Sequence, residues 1–166
     1  MNQYPKRKSS PRLQNYNYSW AGFYFVTINT HKGISLFGKI KDNEVRLNFD
    51  GEVVHKAWLY IPNHHPNVIL DEFIIMPNHL HGIIQIKDDF QVSIDGGSGP
   101  KNHNLSEIIK SFKIYSSRRI NARRKEKSPV WHRSYYDRVI RNERELENIR
   151  KYIQENPIKD DDLEFE

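Results

Sequence analysis

The chain has 166 residues, 37% hydrophobic and 12% aromatic, which is enough to close one core, and its formal net charge is +5. It contains no cysteine, so disulfides, thiolate nucleophiles and thiolate metal ligands are excluded, and any metal site must use His, carboxylate or amide groups. No apolar leader opens the sequence and no run reaches the ~18 apolar residues of a membrane span, so a cytoplasmic protein with no membrane partner is expected.

Residues 1–20 read as a basic arm (Lys6, Arg7, Lys8 and Arg12) without apolar periodicity. Residues 21–159 form the expected folded domain. Phe23 to Asn29 is rich in aromatic and β-branched residues, as is Ile34 to Ile40, and Lys41-Asp42-Asn43 separates the latter from Val45 to Asn48, which predicts a strand followed by a hairpin. Val53, Val54, Ala57, Trp58 and Ile61 recur at helical spacing, with Asp50 as the expected N-cap and Pro62 as the stop. Val68 to Met76 and His79 to Ile86 are apolar runs joined by Pro77-Asn78, predicting adjacent antiparallel strands at the centre of a sheet.

The glycine-rich stretch within Lys87 to His103 reads as a loop. Leu105, Ile108, Ile109, Phe112 and Tyr115 or Ser116 mark a helix packed on the sheet. Tyr135 to Ile140 reads as a short strand. Asn142 to Asn156 is a helix with Leu146, Ile149, Tyr152 and Ile153 on one face, stopped by Pro157. Strand pairs with helices on one face predict an α+β fold, a ferredoxin-like antiparallel sheet with packed helices.

The charge is unevenly distributed. The acidic tail, residues 160–166, holds five acids, and without it the charge is +10. From Lys110 to Arg133 nine bases face one acid, Glu126, a clustering that suits a polyanion. Lys110, Lys113, Arg118, Arg119, Arg123 and Arg124 are the candidate nucleic-acid contacts, with Arg12 from the arm.

His79 and His81 alternate with Leu80, so at a strand start both imidazoles point to one side, and Gly82 is expected to leave space beside the second. Neutral imidazoles bind Mg²⁺ or Mn²⁺ when oxygen ligands complete the shell, although a hydrogen-bonded histidine pair fits the same spacing. His64-His65 lies between prolines and reads as surface. Tyr152 and Asn156 are four residues apart and share a helix face, but Tyr152 also continues an apolar stripe, so periodicity alone favours a core tyrosine and does not identify a nucleophile.

Tyr24-Phe25-Val26-Thr27-Ile28, Leu36-Phe37-Gly38, Met76-Pro77-Asn78-His79-Leu80-His81-Gly82, and Tyr152 with Asn156-Pro157 together resemble the REP-associated tyrosine transposases. These are relatives of the single-tyrosine insertion-sequence transposases in the HUH endonuclease superfamily, and the resemblance covers about residues 12 to 159. It implies a bacterial, metal-dependent single-stranded DNA endonuclease and strand transferase acting at hairpins. His79, His81 and Asn156 would be its metal ligands for Mg²⁺ or Mn²⁺, and Tyr152 the nucleophile that forms a 5′-phosphotyrosine link. Tyr135 and Tyr136 are weaker nucleophile candidates. A hairpin-binding protein of the same fold that does not cut, and a small-molecule metalloenzyme, are the competing readings. A homodimer and a monomer both fit the resemblance.

Overall fold

The computed structural model describes residues 21–87 and 103–161. The basic arm with Arg12, most of the expected glycine-rich loop and residues 162–166 lie outside the described residues. In chain order the elements are β1 (Gly22–Asn29), β2 (Gly38–Lys41), β3 (Glu44–Leu47), α1 (Phe49–Leu59), α2 (Ile61–His64), β4 (Val68–Ile75), β5 (His79–Ile86), α3 (Leu105–Arg124), β6 (Tyr136–Ile140) and α4 (Glu143–Asp161).

Four strands form one antiparallel sheet in the order β4-β5-β1-β6. With α1 between β1 and β4, and α3 between β5 and β6, this is the ferredoxin-like arrangement the sequence predicts. The β2–β3 hairpin stands apart as a second, two-stranded sheet, and its turn residues Asp42 and Asn43 both have positive φ, as a tight turn matched to strand twist requires. β4 and β5 are neighbours as expected, but only β5 is central, because β4 forms the sheet edge.

Strand alternation sends Tyr24, Val26, Ile28, Leu80, Ile84 and Ile86 into a core closed by α1 and α3. Phe23, Phe25, Ile74 and Ile83 point the other way and meet Ile140, Leu146, Ile149 and Ile153. The helices therefore do not share one face. α4 covers the second face, giving three layers with a sheet buried on both sides, which is why β1 and β5 are apolar almost throughout.

Other local expectations are corrected by packing. The α1 cap is Asn48, whose Oδ1 accepts from the Gly51 N–H at 3.0 Å. Asp50 is buried instead, its oxygens accepting from Arg123 (2.9 and 3.2 Å) and Arg124 (2.5 and 3.0 Å), so one carboxylate ties the start of α1 to the end of α3. Pro62 opens the short α2 as well as closing α1. Pro157 sits inside α4, which runs on to Asp161, because the missing N–H removes only one helical hydrogen bond. His65 is buried while His64 stays at the surface, so the second histidine pair is split between core and solvent.

Gly82 does not leave room beside His81. Its missing side chain points to the opposite face, where an added Cβ would lie 2.4 Å from Trp58 Cζ2. Gly82→Ala should therefore cost about 1–3 kcal/mol by overpacking. Asp50→Asn, which leaves two arginines facing a neutral partner, should cost about 2–4 kcal/mol. Urea denaturation measures both, and an unchanged midpoint in either variant contradicts the packing described.

Candidate active site

β5 begins one residue after a two-residue turn. Met76 N donates to the His79 carbonyl at 2.8 Å across Pro77-Asn78, and the neighbouring loop holds that turn, with Leu36 N and Phe37 N donating to the Pro77 carbonyl and Thr30 N to the Asn78 carbonyl. His79 and His81 consequently emerge at a defined strand end, on the face that α4 covers, with ring centroids 4.6 Å apart.

Each ring is oriented through Nδ1. His79 Nδ1 lies 2.6 Å from Asn78 Oδ1, and His81 Nδ1 lies 2.8 Å from Thr27 Oγ1, its cross-strand partner on β1. Where Nδ1–H donates to these oxygens, the lone pair is left on Nε2, the form that binds a metal. His81 is 7% exposed and stacks on Phe25 at 5.4 Å. Burial, reinforced by the neighbouring His79, pushes its pKa down to about 3, so it is a neutral imidazole at physiological pH. Neither Thr27 nor Asn78 stands out in the sequence. The pairing of β1 with β5 is the signal that would have found Thr27, and the adjacency of Asn78 to His79 the signal for the other.

The strand-to-helix junction is made by Tyr152. Its ring lies 5.4 Å from that of His81 and 6.2 Å, edge-on, from that of Phe25, and 40% of the residue is exposed, so it is not an enclosed member of the apolar stripe. Asn156, one turn further along α4, is buried, and its Oδ1 has no hydrogen-bond partner. A buried amide oxygen left without a donor is costly, and a cation would satisfy it. Among the described residues no three His, Cys, Asp or Glu side chains group to hold a metal. Any divalent ion held here would draw on the imidazoles of His79 and His81 and on the Asn156 amide, with substrate oxygens and water to complete its shell.

The two weaker tyrosine candidates separate. Tyr135 Oη lies 3.1 Å from Ser106 Oγ at the start of α3. Tyr136 is half exposed and shares a row across the sheet with Thr27, His81 and Ile74, which places it at the rim of the histidine face.

α4 is held over this face by Leu146, Ile149 and Ile153 and by ion pairs to β4 and β6. Arg150 donates to both oxygens of Asp71 on β4, at 2.9 and 2.6 Å. That hydrogen-bonded guanidinium holds the Asp71 carboxyl below the usual carboxylate range. At the helix start, Asn142 Oδ1 accepts from Glu145 N, and Glu145 pairs with Arg138 of β6.

The candidate DNA-contacting bases are not gathered at the histidines, because α3 packs against the other face of the sheet. Arg123 and Arg124 hold Asp50. Lys113 donates to the carbonyls of His132 and Ser134, both at 2.9 Å, and burial lowers its pKa to about 8, which leaves it charged at neutral pH. Lys110, Arg118 and Arg119 line a groove on the outer side of α3.

Residues 98–156 match the family described as "Transposase IS200 like", a span that includes Tyr152 and Asn156 and lies beyond the two histidines. An uncharacterized protein of Haemophilus influenzae (strain ATCC 51907 / DSM 11121 / KW20 / Rd) is 39% identical, over 91% of this chain and 88% of its own. The solved structure of a REP-associated tyrosine transposase bound to a REP hairpin superposes with a TM-score of 0.62 at 17% identity, covering 89% of this chain and 73% of that one, a likeness of fold. No helix among the described residues is long and apolar enough to cross a membrane.

Thr27→Val removes the oxygen that orients His81 without changing side-chain size, and should lower divalent-metal affinity about 10–100-fold, measured by titration calorimetry with Mn²⁺. The Asp71–Arg150 pair carries a pH signature. Because the folded-state pKa of Asp71 is depressed, its stabilisation is present above the ordinary carboxylate range and lost as pH falls through the lowered value. The stability gap between the wild type and Asp71→Asn, read from urea midpoints, should therefore close on acidification. A gap that persists unchanged in acid counts against the pair.

Proposed function

We propose that the chain, whose residues 98–156 match the IS200-like transposase family, is a metal-dependent enzyme that cuts and rejoins single-stranded DNA at hairpins, with Tyr152 as its nucleophile. The observation that carries this reading is the meeting of Tyr152 with His81, 5.4 Å between ring centroids, one helical turn from the buried, unpartnered Oδ1 of Asn156.

His79, His81 and Asn156 are the residues that would hold Mg²⁺ or Mn²⁺, which supplies Lewis-acid polarisation of a phosphate when bound. The remaining chemistry belongs to the chain. The Tyr152 oxygen attacks the scissile phosphorus as its phenol proton leaves. The bond from phosphorus to the upstream 3′ oxygen breaks, and that oxygen departs as a hydroxyl after taking a proton. A 5′-phosphotyrosine link conserves the phosphodiester energy, so a DNA 3′ hydroxyl can attack it and release Tyr152 without a nucleotide cofactor. A phenol in water titrates near pH ~10, so proton removal needs a base, and water at this half-open site is the available carrier. Thr27 and Asn78 keep the imidazoles in the ligand tautomer, and Phe25 walls the site on its inner side.

The hairpin-complexed transposase of like fold supports a DNA hairpin as the substrate form, and Tyr136 at the rim is placed to meet a base beside the cut. Incubation of labelled hairpin DNA carrying single-stranded flanks with Mg²⁺ or Mn²⁺ should yield a denaturant-resistant protein–DNA adduct. The adduct should be absent in Tyr152→Phe and after chelation. An adduct that survives in Tyr152→Phe and vanishes in Tyr136→Phe would move the nucleophile to β6. Binding without any adduct in the wild type would leave a protein that recognises hairpins and does not cut them.

A further inference from the structure

On the side of the sheet away from the histidines, the outer face of α3 and the α1–α2 corner border an open groove of about 720 Å³. Its lining includes Lys110, Arg118 and Arg119 but only one acid among the described residues, Glu107. None of the ion pairs among the described residues engages those three bases, in contrast to Arg123 and Arg124, which Asp50 neutralises.

Planar groups in contact stand at the edge of the groove, reaching it through Tyr115 and His64. Tyr60, 41% exposed at the end of α1, stacks on Tyr115 with centroids 5.7 Å and planes 23° apart. His64 meets Tyr60 edge-on at 4.9 Å, and the Arg119 guanidinium lies 4.7 Å from the Tyr115 ring centre. A half-exposed tyrosine on an ordered stack, beside cations that no carboxylate among the described residues pairs, is the chemistry of a platform for unpaired bases: rings take the bases and ammonium or guanidinium groups take the phosphates. An apolar peptide would leave the three cations uncompensated. A second copy docked by the same face would oppose them to their own equivalents.

We propose that this groove binds an unpaired segment of nucleic acid, its bases continuing the Tyr60–Tyr115–Arg119 stack and its phosphates meeting Lys110 and Arg118. The inference shares its ligand class with the DNA substrate proposed above, but it rests on other residues on another face.

Fluorescence anisotropy of labelled oligodeoxythymidylate, and of its duplex with oligodeoxyadenylate, tests it with the full chain in chelator, so that cleavage does not enter. Tyr60→Ala should weaken single-strand binding about tenfold while Tyr60→Phe retains it, and duplex binding should change less than single-strand binding. Arg119→Ala, on the exposed helix face, is the second variant. It should also weaken single-strand binding and make its dependence on log salt shallower by about one. Unchanged oligodeoxythymidylate affinity in both variants overturns the proposal. So does a Tyr60→Ala effect that sedimentation traces to loss of a dimer, which would make a second copy the occupant. In a parallel adduct assay on hairpin DNA with Mg²⁺ in place of the chelator, Tyr152→Phe should give no adduct while still binding the strand. A wild type that binds through Tyr60 yet forms no adduct would reject the catalytic reading alone, and an adduct formed without any dependence on Tyr60 would reject this one alone.

Discussion

The register of β5 against β1 is the constraint on which the rest of the molecule depends. Pairing Thr27 with His81 and Asn29 with His79 sends both imidazoles to the face that α4 covers and leaves Leu80, Ile84 and Ile86 for the larger core. A slip of one residue would exchange these sets, burying two histidines among α1 and α3 and turning three core residues toward Tyr152. The cost of that exchange is why the Pro77-Asn78 turn is so firmly held, with three backbone donors from residues 30–37 on its two carbonyls. The same register sets Thr27 against His81, so the orientation of the imidazole ring is a by-product of strand pairing.

A sheet buried on both sides admits few polar groups, and those present do specific work. His81 is kept neutral by burial and by its neighbour, Asn156 holds an oxygen without a donor, and both lie on the α4 side. That side has the smaller apolar cluster, supplemented by Arg150 and Asp71. The layer carrying Tyr152 is thus attached by fewer apolar contacts than the layer carrying α1 and α3.

The basic character of α3 divides into two populations by partner. Arg123, Arg124 and Lys113 are spent on Asp50 and on backbone carbonyls, where their charge organises the chain's own fold. Lys110, Arg118 and Arg119 remain on the outer face, and the sheet separates them from the histidines. A count of positive charge therefore overstates what α3 can offer a polyanion. It also hides that any offered surface lies on the side of the sheet opposite His79 and His81, so a strand engaging both faces must pass around the molecule.

Much of this was legible in the sequence because it depends on periods of two and 3.6 residues. The strands at 23–29, 68–76 and 79–86, the helices after Leu105 and Asn142, the ferredoxin-like order and the common face of His79 and His81 all follow from side-chain alternation and apolar spacing. The same periods put Tyr152 and Asn156 on one helix face. What they could not supply is which layer each helix joins, since an amphipathic stripe states that one face is buried and not against what. Only the tertiary structure put α4 over the histidines and α3 behind them, turned Gly82 toward Trp58, and gave Asp50 two arginines from 73 and 74 residues away in place of a cap. Those are contacts between distant segments, set by how whole faces fit, and no local pattern encodes them.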